Sequence, residues 1–577
     1  MKNHPISLAC SLAFIAVFQI SISAGERIRF QIGIDSALAP QPVSGRLLIF
    51  MTAQTKPLEV IEPDFLNPRS VWLAGVEVHN LTAGQTVEID PDALAFPAPF
   101  STAPAGDYQI MAVLDLNHSY TYDGMGAGDL YSGVTSARRL DPASTRAIGL
   151  TLAKQVPEQK LSDTDSIKLV TFESPSLTAF WGRPILMRAG VVLPPSYAKS
   201  TTDRYPTVYL VHGYGGSHAA AWRRGPNQVR QMADGRTPEM IYVYLDASFS
   251  LGHHVFADSA NNGPWGHALT AEFIPYLEKK FRMDAVSRGR LLNGHSSGGW
   301  STLWLQVNYP NVFGGTWSTS PDPVDFRNFT GPDLTRVPPQ NFYRRDDGKL
   351  YNLIRMGGRE IMTMEDYAHL ERVEGYYGGQ MASFEAVFSP RGPDGQPMPL
   401  FDRDTGRIDA FVQKAWRRYD ISRLLRTKWT RFEPQLRGKI HVIVGTADTF
   451  HLDEGVYLLR DTLKALRETD NNIRGTGPED SKVATGGQAR DEVAGAPDRV
   501  VIKLRGGGYL EFIAGRDHFN LYDGGLAERI AREMYRVARP EKRKPAQLLK
   551  AAQNLSADHV VSLVSQHCAD LFWFFPS

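Results

Sequence analysis

The sequence predicts an α/β chain with a mostly parallel sheet and helices on both faces, preceded by an all-β, sandwich-like N-terminal module. Three observations predict it. Apolar residues recur with period two up to about residue 159, and after the polar segment 157–165 the rhythm changes to strands alternating with helices. Two later runs, Thr207-Val208-Tyr209-Leu210-Val211 and Met240-Ile241-Tyr242-Val243-Tyr244-Leu245, are apolar throughout, as strands covered on both faces are. A third strand-like run, Arg290-Leu291-Leu292-Asn293, leads into Gly294-His295-Ser296-Ser297-Gly298-Gly299, whose small residues suit a tight strand-to-helix turn.

A chain of 577 residues, 42% hydrophobic and 22% charged, has room for two or more domains with large cores. Its formal net charge of +1 gives no composition-level case for nucleic acid or an anionic membrane surface as a partner. Met1-Lys2-Asn3-His4, the apolar run 6–20 and Ser21-Ile22-Ser23-Ala24 have the layout of a secretory signal peptide, with cleavage expected near Ala24. The run is short for a membrane span. Of the 2 cysteines, Cys10 leaves with the signal and Cys568 remains, so no disulfide, cysteine metal cluster or thiol chemistry is expected. Export without disulfides suits a periplasmic or secreted protein.

Within the N-terminal module, 25–160, Ile28, Phe30, Ile32 and Ile34 alternate with polar partners. Runs at 47–51, 87–89, 108–114 and 148–152 continue the series between proline and glycine turns, which reads as a small antiparallel sandwich. Asp115-Leu116-Asn117-His118-Ser119 alternates oxygen ligands, but the glycine and closing glutamate of a calcium loop are missing and no metal is expected. The α/β region, 165–540, begins with strands at 167–172 and 185–193. Leu269, Phe273, Leu277 and Phe281 form one helix face, and Gly314-Gly315-Thr316-Trp317-Ser318 is the strand after the glycine turn. Residues 321–436, rich in Pro, Arg, Tyr and Trp, form an insertion expected to lie over the mouth of the site as a cap or side wall. A strand at 440–444, a mobile polar insertion at 471–498, a last strand at 500–504 and a last helix at 526–537 follow. The tail, 541–577, is assigned no function.

Serine is a poor nucleophile near neutral pH and needs a histidine to take its proton and an acid to hold that ring. Ser296, in the pattern G-x-S-x-G, is the candidate nucleophile. Downstream, Gly445-Thr446-Ala447-Asp448 ends an apolar strand and Gly515-Arg516-Asp517-His518-Phe519 follows the last one, which puts Asp448 and His518 on the edge where the turn opens. His451 precedes the last strand and reads as a wall residue; Asp517 neighbours His518 and would diverge from it; Asp453 and Glu454 suit a helix start. Val211-His212-Gly213-Tyr214-Gly215-Gly216 is a histidine-glycine loop, and the amides of Tyr214 and Ser297 are the expected oxyanion donors, with His212 packed beneath. His253, Trp265 and His295 are candidate substrate contacts.

At these motifs, and at Val191-Val192-Leu193-Pro194-Pro195-Ser196-Tyr197, the chain resembles the esterase D-like esterase family, which includes feruloyl, acetyl-xylan and enterochelin-type esterases and mycolyltransferases. The resemblance spans about 167–539. It implies an α/β-hydrolase fold and ester cleavage through an acyl-enzyme, with Ser296, Asp448 and His518 in the motif positions. The expectation is an exported, cofactor-free serine ester hydrolase whose partner is a small-molecule or carbohydrate ester, with no nucleic acid and no membrane span. Acyl transfer to a sugar, or carbohydrate or surface binding on an inactive scaffold, are the competing readings.

Overall fold

The computed structural model describes residues 27–64, 67–116, 125–144, 147–375, 379–474 and 499–540. The signal segment 1–24, positions 117–119 of the Asp115 loop, 475–498 of the polar insertion and the tail 541–577 lie outside the described residues. Among those described, no helix is long and apolar enough to cross a membrane.

Nine strands make the central sheet: β1 Ile167–Glu173, β2 Leu186–Val192, β3 Thr207–Val211, β4 Ile241–Leu245, β5 Arg290–His295, β6 Gly315–Thr319, β7 Ile440–Gly445, β8 Arg499–Lys503 and β9 Tyr509–Ile513. They run in the order β1-β2-β4-β3-β5-β6-β7-β9-β8. From β4 to β9 every pairing is parallel, while β1–β2, β2–β4 and β9–β8 are antiparallel. This is the α/β-hydrolase sheet. Alternate residues of β3 explain its unbroken apolar run: Tyr209 and Val211 join Leu269, Phe273 and Leu277 on one face, and Val208 joins Ala221, Ile530 and Met534 on the other.

The edge of the sheet differs from expectation. The run 500–504 is not the final strand leading to His518; it falls in β8, an antiparallel edge strand, and β9 carries the chain to His518. The sequence of β9 hides behind Gly506-Gly507-Gly508 and carries Glu511, which is fully buried and paired with Arg499 and Arg529.

Two sheets form the N-terminal part. One has three strands in the order Thr86–Ile89, Arg29–Ile34, Ala147–Leu152, and the other has seven. The expected all-antiparallel pairing does not hold, because Arg29–Ile34 and Ala147–Leu152 pair parallel. The entering and leaving strands lie side by side, with the rest of the module as the crossover between them. Leu47, Ile49 and Met51 point into the core shared by the two sheets, and Leu48 and Phe50 point the other way.

That second face packs on the insertion after β6. Leu48, Phe50, Leu73, Met111 and Val113 share one apolar cluster with Leu370 and Val373 of the helix Met364–Glu374. The same cluster reaches the helix Ser297–Asn308, where Trp300 lies 5.2 Å from Phe388 and Trp304 5.3 Å from Tyr419, ring centre to ring centre. The insertion is thus clamped between the β-rich part and the helix that follows the glycine turn.

A buried arginine fixes one end of the clamp. Arg46 donates from Nε and one terminal nitrogen to the Val373 carbonyl at 3.1 and 2.8 Å and to the Arg372 carbonyl at 3.0 Å, and it pairs with Glu77 at 3.2 Å. Those carbonyls belong to the last turn of Met364–Glu374, where intrahelical donors run out. Arg46→Met leaves them unsatisfied in a buried place and should lower unfolding stability by about 2–4 kcal/mol, read by denaturant titration. The same variant should be cut faster by protease within 364–388.

Candidate active site

The turn after β5 is built by close approach. A β-carbon added to Gly294 would lie 2.1 Å from the Gly298 carbonyl oxygen, and one added to Gly298 would lie 2.1 Å from the Val211 carbonyl oxygen. Only glycine fits at either place. Between them Ser296 holds φ 60° and ψ −127°, a conformation that a residue with a β-carbon adopts under constraint. Its amide donates to the Thr319 carbonyl at 3.0 Å, and its carbonyl accepts from Trp300 at 3.0 Å and from Asp322 at 3.2 Å. The hydroxyl-bearing side chain faces a cavity also lined by Gly213, Tyr214, His295 and His518.

The acid and the histidine arrive on the loops after β7 and β9. Nδ1 of His518 donates to Oδ2 of Asp448 at 2.9 Å, and Asp448 is fully buried. Oδ1 of Asp448 accepts from the amides of Phe450 at 3.0 Å and Leu452 at 3.3 Å. Burial opposes ionisation of this carboxyl, but the His518 imidazole, the Phe450 amide and the Ser320 hydroxyl outweigh it and hold it below the usual carboxylate range. Arg355, from the insertion, donates to the Asp448 carbonyl at 2.9 Å and pairs with Asp453 at 2.7 Å, which ties the acid loop to the cap. Phe450 stands edge-on to the His518 ring, with centres 4.9 Å apart.

The remaining candidates separate. A β-carbon on Gly213 would lie 3.2 Å from that of Ser296, so the loop bearing the Tyr214 amide rests against the serine. Ser297 opens the helix Ser297–Asn308, where the first amides have no intrahelical acceptor. His295 lines the cavity. Its Nε2 donates to the His518 carbonyl at 3.1 Å, its Nδ1 meets the Thr319 hydroxyl at 3.1 Å, and burial with the adjacent His518 pushes its pKa down to about 3. It therefore stays neutral and braces the His518 backbone.

His253 and Trp265 do not line the cavity. His253 is 2% exposed, donating from Nε2 to the His212 carbonyl at 2.9 Å and accepting from the Val255 amide at 3.1 Å. Trp265, also 2% exposed, stacks on His254 at 3.7 Å. Both are core residues behind the wall: the ring nitrogens of His253 are taken by backbone groups, and the face of Trp265 is covered by His254. His212 lies beneath its own loop, accepting from the Ala247 amide at 2.9 Å. Asp517 accepts from the amides of Phe519 and Asn520 at 2.9 Å each and caps a turn. His451 lines a separate polar cavity with Glu360 and Glu454.

Sequence reasoning missed Asp322. It follows β6, the neighbour of β5 in the sheet, and its buried carboxyl lines the same cavity as Ser296. Oδ2 accepts from the Ser297 hydroxyl at 2.6 Å, and Gln380 of the cap lies 3.5 Å away. An acid on the carboxyl edge of the strand beside β5 was the available signal, hidden by prolines on both sides. Burial, with the Asp448 charge, pushes its pKa up to about 6 against the Ser297 hydroxyl and His518. Among the described residues no group of three or more His, Cys, Asp or Glu is gathered as a metal set.

The Asp322 shift has a defined sign. Between pH 3.8 and about 6 the unfolded chain ionises this carboxyl while the folded chain keeps it protonated, so its contribution to stability is lost as pH rises through that window. Asp322→Asn removes the titration. Relative to wild type, the variant should gain roughly 2–3 kcal/mol of unfolding stability between pH 4 and pH 7. Denaturant curves at both pH values test this, and an identical pH dependence in the two proteins would refute the raised pKa.

The family profile described as "Putative esterase" matches residues 185–473, half of the chain. An "Endo-1,4-beta-xylanase/feruloyl esterase" from Xylanibacter ruminicola is 30% identical over 147 residues, covering 23% of this chain and 20% of that protein. This chain thus matches about a fifth of that relative's length. Among solved structures, a ferulic acid esterase is 15% identical with a TM-score of 0.36, covering 64% of this chain and 99% of its own. An S-formylglutathione hydrolase from Agrobacterium tumefaciens is 14% identical with a TM-score of 0.35, covering 64% of this chain and 94% of its own. With the profile spanning β3 to β7 and the glycine turn between them, the chain belongs to the esterase family.

Proposed function

We propose that the protein is an exported serine ester hydrolase, independent of any cofactor, that works through an acyl-enzyme on Ser296. The observation that carries this reading is the strained Ser296 at the carboxyl edge of the sheet, with the 2.9 Å His518–Asp448 bond on the same edge. With Nδ1–H of His518 committed to Asp448, Nε2 is the ring position left to take the serine proton. Ser296 then attacks the ester carbonyl carbon. The oxygen that becomes negative is received by the amides of Tyr214 and Ser297, each worth roughly 2–4 kcal/mol of barrier. His518 returns the proton to the departing alcohol, and the same ring then activates water to release the acid.

The substrate class we favour is an acylated sugar or an aromatic acyl ester. Phe384, Phe450, Phe519 and Tyr367 wall the cavity and offer flat apolar faces to a ring. The relative from Xylanibacter ruminicola, named for feruloyl esterase activity, supports the aromatic acyl side of this choice.

Pre-steady-state turnover of a short p-nitrophenyl ester should show a burst of nitrophenol equal to the enzyme concentration. Ser296→Ala and His518→Ala should each lose about 1000-fold or more in kcat while keeping the wild-type circular dichroism. A folded protein that neither turns over the ester nor reacts with a fluorophosphonate would sink the hydrolase reading.

A further inference from the structure

We propose that the cleft leading from Ser296 between the helices Ala220–Ala233 and Leu526–Ala538 binds an anionic arm of the substrate, a carboxylate or phosphate held by Arg224 and Arg223. The inference rests on the ester-hydrolase reading and adds a substrate class to it.

The cavity is one space of about 1210 Å³, at the large end for a small-molecule site. It does not stop at the catalytic edge. Past His295 and Tyr522 it continues down the face of the sheet, over a floor of Leu210, Tyr242, Ile530 and Met534. Tyr242, Ile530 and Met534 are themselves buried, so the extension is a narrow crevice whose shape fits a slender, extended arm. One rim of the extension is polar, built by Arg223, Arg224, Asn227 and Gln228 from successive turns of one helix.

The two arginines are exposed at that rim and differ from guanidinium groups that an acid already holds. Arg290, Arg403 and Arg529 are each tied to a carboxylate at 2.6 to 2.8 Å. Among the described residues, neither Arg223 nor Arg224 has a carboxylate within 4.0 Å. The carboxyls in the cavity are Glu62 and Asp322, and Asp322 is bound to Ser297. The charge of Arg224 also reaches inward: it adds to the fall at His295 and opposes the rise at Tyr244 and Tyr522. A cation felt by three side chains lining the cleft and left unneutralised is a ready partner for an anion, and a guanidinium takes carboxylate or phosphate oxygens in pairs.

The test compares matched esters that differ only in a terminal charge. On the acyl side these are p-nitrophenyl hydrogen suberate and p-nitrophenyl octanoate; on the alcohol side, the acetate ester of 8-hydroxyoctanoate and octyl acetate. In at least one pair the wild type should prefer the anionic ester by about tenfold or more in kcat/KM, chiefly through KM, with the preference shrinking as salt rises. R223Q/R224Q should bring that pair to near equality. The pair that responds says which arm the cleft takes. Equal turnover within both pairs, or a preference that survives the double substitution, overturns the inference. Suberate binding to Ser296→Ala protein, measured by calorimetry with and without R223Q/R224Q, makes the same comparison without turnover; equal binding overturns the inference too. p-Nitrophenyl acetate has no arm to place, so its hydrolysis keeps ester cleavage standing when the charge comparison fails. If no ester is cleaved and suberate does not bind, both readings fall.

Discussion

A serine held at φ 60° and ψ −127° costs about 1–3 kcal/mol of backbone strain, and much of the central structure is arranged around keeping it there. The strain is confined by three backbone bonds. Two of them come from the end of β6 and the chain just after it: the Thr319 carbonyl accepts the Ser296 amide, and the Asp322 amide donates to the Ser296 carbonyl. Gly294 and Gly298 let the turn close so tightly that Val211 of the neighbouring strand lies against the helix start. Relaxing the serine would require β3, β5 and β6 to part, which the parallel ladder between them resists. The side chain is exposed to the cavity because the backbone has no other place to go.

The insertion after β6 adds a second constraint from outside the sheet. Its aromatic residues pack on Trp300 and Trp304, so the helix that follows Ser296 is buried on the side away from the sheet as well. Its Arg355 holds the Asp448 loop, and its Gln380 reaches Ser297 and Asp322. The N-terminal sheets in turn hold the cap through Arg46 and a shared apolar cluster. Glu62 and Pro63 bring that part of the chain to the rim of the cavity. Buried area between these layers, rather than covalent crosslinks, carries the load, in keeping with a sequence of only 2 cysteines.

Where side-chain chemistry and backbone periodicity agreed, the sequence was legible. β3, β4, β6 and β7 announced themselves as β-branched and aromatic runs, β5 by its Leu291-Leu292 pair, and the glycine turn by the spacing of small residues. The gathering of Ser296, Asp448 and His518 at one edge followed from their order after successive strands. β9 was obscured because Glu511 looks like a surface residue until Arg499 and Arg529 arrive from elsewhere to neutralise it. His253 and Trp265 misled for a related reason. The residue types that bind sugars on a surface also fill cores, and the partners that consume them, such as the His212 carbonyl, become neighbours only on folding. Asp322 was overlooked because a Pro-Asp-Pro sequence looks like the start of a loop, whereas its surroundings are among the most buried of the chain.

Two buried carboxyls on this edge, Asp448 and Asp322, illustrate how such surroundings decide chemistry. Asp448 and Asp322 are both buried, and each raises the cost of charge on the other. Asp448 accepts two backbone amides and faces the His518 ring, so ionisation is supported from three sides. Asp322 is met by the hydroxyls of Ser297, at 2.6 Å, and Ser296, with a side-chain amide only at its margin. Below about pH 6 the negative charge therefore settles on the carboxyl behind the imidazole, where it favours the imidazolium that the proposed proton transfer creates. Asp322 is left neutral up to a pH of about 6 beside Ser297. His295 obeys the same logic. Kept neutral by burial, it supports the His518 backbone without competing for the proton that the proposed mechanism assigns to His518. With Asp448 charged and His295 neutral, His518 is the group on this edge to which the proposed mechanism gives the exchange of a proton with Ser296.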